Sequence, residues 1–100
     1  MKLIDCARII RSKNAGPTQL TIDILFSEKA GFDRARQSSN LTASHIALLY
    51  RLREDQVQII PYPPALALKI VMDRKIVAGT PGDRDVYGAQ QHGPLLDLDL

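Results

Sequence analysis

The chain has no tryptophan, one cysteine and only three tyrosines and two phenylalanines, and each scarcity excludes something. A single thiol, Cys6, cannot close an internal disulfide, so this is no disulfide framework, and a reducing, cytoplasmic setting is expected. With so few aromatics the core has to be Leu, Ile, Val and Ala. The central strands also lack the stacking residues of an RNA-binding sheet. No window is apolar for long enough to span a membrane, and the first residues lack the apolar stretch of a signal peptide. Charge of one sign is missing too. The 13 Lys and Arg are scattered among 11 Asp and Glu, a formal +2, without the dense basic stripe that binding to phosphate backbones requires. Neither nucleic acid nor membrane is therefore expected as a partner. There is no Walker motif, dinucleotide fingerprint or G-x-S-x-G elbow, and two histidines with one cysteine make no metal spacing, so no metal is assigned.

What remains is an ordinary folded composition, 45% hydrophobic and 24% charged, in 100 residues, which is a single domain over 1–100. A chain of this size buries only about 60–65% of its surface, which favours a partner subunit or a homo-oligomer.

Hydrophobic patterning gives the elements. Leu3, Cys6, Ala7 and Ile10 would share one helical face, but Ile9-Ile10 flanked by arginines favours a strand over Ala7–Arg11, followed by a turn over Ser12–Pro17. Leu20–Phe26 alternates, with Leu20, Ile22, Ile24 and Phe26 on one side and Thr21, Asp23 and Leu25 on the other. Ser27 is placed to cap a helix running to Arg36, with Glu28 in its first turn and Gly31 weakening it. Thr42 opens a second helix, Ala43–Arg51, whose buried stripe is expected at Ile46, Leu49 and Tyr50, with Ala43 and Leu52 at its ends and His45 toward solvent. Val57–Pro61 is a short strand, and Pro61-Tyr62-Pro63-Pro64 is expected to be extended. Ala65–Asp73 alternates on Leu66, Leu68, Ile70 and Met72. Leu96, Leu98 and Leu100 alternate with Asp97 and Asp99 as a last strand. The order β-β-α-α-β-β-loop-β describes an α+β two-layer sandwich, ferredoxin-like in the loose sense, with two helices on one face of a mostly antiparallel sheet.

Two polar stretches stand outside this pattern. Gly79–Pro94 holds four of the six glycines, two of the six prolines and one of the two histidines. Its side chains differ in kind, as a binding loop requires, and its glycines let backbone approach a ligand. His92, Tyr87, Asp83 and Asp85 are candidates for proton transfer, and Gln90 and Gln91 for ligand binding. Equally, His92 could be a hydrogen-bonded loop residue and the two aspartates could cap a short turn at Val86–Gln91. The other stretch is Arg11–Pro17. Arg11 and Lys13 suit an anion, Arg11 by a bidentate fork and Lys13 as a mobile charge, with Asn14 adding a neutral donor. A solvated strand end followed by a plain turn has the same sequence.

Three segments together resemble a known family: Ala7-Arg8-Ile9-Ile10-Arg11-Ser12-Lys13-Asn14-Ala15-Gly16-Pro17, Ala65-Leu66-Ala67-Leu68-Lys69, and Gly82-Asp83-Arg84-Asp85-Val86-Tyr87-Gly88-Ala89-Gln90-Gln91-His92. The resemblance is to the small AtuA-like ferredoxin-fold proteins, long catalogued as a domain of unknown function, and it spans nearly the whole chain. It implies a ferredoxin-like domain encoded beside, or fused to, a larger acyclic-terpene-utilisation protein. It supplies no catalytic residues. The function expected is that of an accessory subunit of a larger AtuA-like catabolic protein, adding its polar loops to a site for a small carboxylate or its coenzyme A ester. The alternative is a self-sufficient homo-oligomeric hydratase or lyase acting on the same class of compound.

Overall fold

The structure is a computed structural model describing residues 1–16, 18–73 and 93–100. Four strands, β1 (Ala7–Asn14), β2 (Gln19–Phe26), β3 (Val57–Tyr62) and β4 (Ala67–Asp73), form one antiparallel sheet in the order β1-β2-β4-β3. Helices α2 (Lys29–Gln37) and α3 (Ala43–Tyr50) lie between the two hairpins in sequence, and a four-residue helix, α1 (Leu3–Cys6), precedes β1. This is the expected α+β sandwich.

The two-residue period of β2 decides which face the helices cover. Leu20, Ile22, Ile24 and Phe26 join Leu68, Ile70 and Met72 of β4 in a core with Phe32 and Ala35 of α2 and Ile46 and Ala47 of α3. Phe32 meets Phe26 edge-on, ring centroids 6.1 Å apart. Gly31 sits inside α2 for a packing reason: a Cβ there would lie 3.3 Å from Cys6 Cβ, so its absence lets α1 close on α2.

Both sheet edges are protected. A bulge at Arg8, where the register shifts between Ala7 and Ile9, irregularises β1, and Arg11 and Lys13 charge it. On β3, Pro61 removes a backbone donor.

Several expectations give way. β1 runs on to Asn14 rather than stopping at Arg11, because Ser12, Lys13 and Asn14 pair with Ile22, Thr21 and Leu20. The reversal is tighter than Ser12–Pro17, and among its described residues Gly16, at φ +117°, has the conformation that needs glycine. Residues 3–6, which alternation assigned to no strand, wind into α1, with Leu3 fully buried. The N-cap of α2 is Glu28, not Ser27, and no side chain caps that helix.

Thr42 does cap α3, its hydroxyl accepting from the His45 backbone N–H at 3.3 Å. The inward stripe is Ile46 and Ala47, with Tyr50, Ala43 and Leu52 packed against the core as expected, but Leu49 is not part of it. Leu49 is 38% exposed and Leu48 76% exposed, and α3 ends at Tyr50, after which Arg51 turns left-handed at φ +57°. His45 is half-buried.

After β3, Pro63–Ala65 coil into a 3-10 turn and Leu66 turns left-handed at φ +50°, so β4 starts at Ala67 instead of Ala65. The last strand is not formed. Leu95 and Leu98, three apart, bury together around a 3-10 turn at Gly93–Leu95, while Leu96 is 41% exposed. What remains of β pairing there is a bridge between Lys2 and Asp99, flanked by Leu3 N–H to Leu98 O at 2.8 Å and Leu100 N–H to Met1 O at 2.9 Å.

Two stability measurements test this core. Ile70→Ala, at a fully buried site on central β4, should cost about 2–5 kcal/mol in denaturant unfolding, whereas Leu48→Ala should change stability by less than about 0.5 kcal/mol. Burial also pushes the Tyr50 phenol well above its ordinary value of 10.0. The unfolded chain therefore releases this proton first, and stability falls as pH rises past 10.0. Tyr50→Phe should make that alkaline loss shallower; an unchanged slope would remove Tyr50 as its cause.

Candidate functional site

The sheet face opposite α2 and α3 carries the described part of the expected site. Cross-strand register sets its rows. Ile9, Leu25, Ala67 and Tyr62 stand side by side across all four strands. The next row is Arg11, Asp23, Lys69 and Ile60, and the one after it is Lys13, Thr21, Val71 and Gln58. The described helices pack on the other face. Here Ile60 and Tyr62 are 40% and 60% exposed, and Ile9, Leu25, Ala67 and Val71 are half-buried. An apolar band thus borders a charged one.

Asp23 lies between two cations in the charged row. Arg11 Nε is 3.7 Å from Asp23 Oδ2, and Lys69 is its partner on the opposite strand. The Asp23 side chain is 19% exposed and that of Arg11 63%, so the guanidinium reaches water while the carboxylate stays sheltered. Among the described residues of these rows, one carboxylate stands against Arg11, Lys13 and Lys69, an excess of positive charge. Thr21 is buried between Lys13 and Val71, its hydroxyl donating to Lys13 O at 3.4 Å.

Of the residues expected to bind an anion, Arg11 and Lys13 come together on this face as strand residues, not loop residues. Asn14, one step further along the pleat, belongs to the other face beside Leu20 and is half-buried. Asp83, Asp85, Tyr87, Gln90, Gln91 and His92 lie outside the described residues. Sequence reasoning missed Asp23 and Lys69. Their alternation was visible, but which strand lies beside β2, and in what register, is a property of the sheet.

A second concave region lies where α1 meets α2. It is a cleft of about 620 Å³ lined by Met1, Asp5, Cys6, Arg34, Gln37 and the start of α2. Cys6 is half-buried there and Sγ lies 3.6 Å from Leu3 O. Desolvation pushes its thiol above 9.0, Arg34 pulls it down and Asp5 pushes it up. The Asp5 carboxylate is occupied, accepting the Lys2 backbone N–H at 3.0 Å. The thiol stays protonated at neutral pH, as a small partly buried hydrophobe would. Among the described residues no three of His, Cys, Asp or Glu gather to hold a metal ion, and no helix is long and apolar enough to cross a membrane.

The chain belongs to the family described as domain of unknown function DUF4387, whose model matches residues 3–99. No curated protein and no solved structure matches it.

The cleft's electrostatics are measurable through Cys6. Its alkylation by iodoacetamide at pH 8 should be slower than that of free cysteine, and Arg34→Gln, which removes the cation favouring thiolate, should slow it further. A faster reaction in Arg34→Gln would show that shielding by the arginine side chain, and not its charge, controls the thiol.

Proposed function

We propose that this member of an uncharacterised family of small domains is an interaction subunit that docks on a larger AtuA-like catabolic protein in the cytoplasm. The observation carrying this reading is the open sheet face. Four strands place a continuous apolar row, Ile9, Leu25, Ala67 and Tyr62 with Ile60 beside it, half-buried at its first three residues and exposed at Tyr62 and Ile60, on a domain whose described helices all serve the other face. Covering a large apolar side chain is worth about 1.5–3 kcal/mol relative to leaving it exposed, and contiguous apolar surface rimmed by polar groups is the usual mark of an interface. A small domain gains proportionately most from such a partner.

Arg11, Lys13 and Lys69 at the border of that row would then face the seam between the two proteins. They supply positive charge where a small carboxylate or the phosphates of a coenzyme A ester would lie. Arg11 is the better candidate for a bidentate grip, its guanidinium being largely exposed and only loosely held by Asp23. Asp83, Asp85, Tyr87 and His92 are proposed to polarise the ligand or move its proton at the same seam, with Gln90 and Gln91 as neutral donors. A weak ground-state hold on Arg11 is useful here, because exchanging one carboxylate for another changes little in charge. The AtuA-like partner itself is suggested by the resemblance of the three sequence segments.

The test is recovery of the tagged chain from its own cells, followed by mass spectrometry of what remains bound. A stoichiometric larger protein is expected, and Ile60→Asp with Tyr62→Asp should release it at least tenfold more readily while leaving the melting temperature near that of the parent. Recovery of the chain alone as a homo-oligomer, turning over a small acid without help, would favour the self-sufficient hydratase or lyase instead. With the complex in hand, Arg11→Ala and His92→Ala should each lower its activity; if neither does, the site assignment fails even though the docking stands.

A further inference from the structure

Between the helical layer and the edge of β3 runs a groove of about 350 Å³, lined by Leu41, Ala43, Ile59, Pro61 and Leu68 with Arg36 and Thr42. Leu41 and Leu68 are 4% and 2% exposed and belong to the core, so the groove opens onto the core's own surface. Ala43, Ile59 and Pro61 are half-buried along it. The lining is apolar apart from two residues. Thr42 is occupied, its hydroxyl accepting from the His45 N–H and donating to Ser39 O. That leaves Arg36.

Arg36 is exposed and, among the described residues, has no carboxylate partner. None of the ion pairs among the described residues uses it, and no carboxylate lines the groove. Its guanidinium lies 5.9 Å from the centroid of the Phe32 ring, so packing against the core restrains it. Thr42 and Ala43 are also the N-cap and first residue of α3, whose dipole adds positive potential to the same rim. Apolar walls with a single positive mouth define a ligand that is apolar along its length and carries one negative end. The volume lies near the lower limit for small-molecule sites, so the tail has to be short.

We propose that this groove binds a short aliphatic monocarboxylate, with its tail against Leu41, Ile59, Pro61 and Leu68 and its carboxylate on the Arg36 guanidinium. An alkyl amine meets the wrong charge. A dicarboxylate leaves its second charge on apolar wall, at a desolvation cost that nothing there offsets. The site uses no residue of the open sheet face, so it stands or falls independently of the docking reading.

The test is titration of the ¹⁵N-labelled chain with 3-methylbutanoate and, separately, with 3-methylbutan-1-ol, which keeps the tail and removes the charge. Saturable shifts at Arg36, Thr42, Ala43, Ile59 and Leu68 are expected in the millimolar range, with the acid bound roughly tenfold more tightly than the alcohol, as one charge-assisted contact allows. Arg36→Gln should abolish that preference without weakening the alcohol, and Arg36→Lys should keep part of it. Should Arg36→Gln not fold, the acid–alcohol contrast on the parent chain decides alone. Equal affinity for the two compounds, no saturation, or a preference that survives in a folded Arg36→Gln would overturn the proposal. So would shifts that follow protein concentration rather than ligand, which would seat a second copy in the groove, or tighter binding of a valine-terminated tripeptide than of the acid.

Discussion

A four-stranded sheet has two faces, and the described helices cover one of them. The rest of the structure follows from that inequality. Leu20, Ile22, Ile24 and Phe26 of β2, with Leu68, Ile70 and Met72 of β4, take the helices and become the core. The residues between them must then coexist with water or with something else. Over the cationic half, none of the described helices forms a second layer. The long stems of Arg11, Lys13 and Lys69 flank Thr21 and Asp23 while their charged ends stay wet. Thr21 is accordingly only 6% exposed on a face that carries no described helix. Ile60 and Tyr62, on the strand at the end of the described order, are 40% and 60% exposed.

The edges make the same distinction. A bulge and cations on β1 and a proline on β3 discourage another strand from extending the sheet. Partnership by sheet extension is therefore blocked at both sides, whereas partnership through the open face is not. A partner arriving there meets apolar surface first and positive charge at its border, which fixes its orientation more than its affinity.

How much of this could be read from the sequence depends on the range of the interactions involved. β2 was legible because its alternation is local and uninterrupted, and Thr42 because capping is settled within three residues. Leu96, Leu98 and Leu100 alternate as a strand would, yet Leu95 and Leu98 at helical spacing bury instead, because α1 offers Leu3 N–H to Leu98 O. Leu66 alternates with Leu68, but two preceding prolines and a left-handed turn remove it from β4. Leu49 fits the stripe by spacing, yet Ala47 is the residue buried beside Ile46. Tertiary pairing overrode periodicity at Leu98, and local turn chemistry did so at Leu66. The site suffered likewise: Arg11 and Lys13 were identifiable by charge, but the Asp23 and Lys69 positions beside them exist only once register is fixed. Arg36 gave no signal at all, being one charged residue on a helix, and only the ring of Phe32 and the groove beside it set it apart.

The two cationic settings differ in a way that bears on what each can do. Arg11 is loosely paired at 3.7 Å and largely exposed, a geometry worth at most about 1 kcal/mol to folding. Its charge is thus free to be reused by an incoming anion, but in water and under salt that reuse is weak. It gains strength only when a partner excludes solvent from the face. Arg36 is exposed as well, but its guanidinium lies 5.9 Å from the Phe32 ring centroid at the mouth of a groove with apolar walls. The sheet face is therefore suited to a site completed by association, and the groove to one the chain holds by itself. The β3–β4 hairpin joins the two settings, supplying Ile59, Pro61 and Leu68 to the groove and Ile60, Tyr62 and Lys69 to the open face.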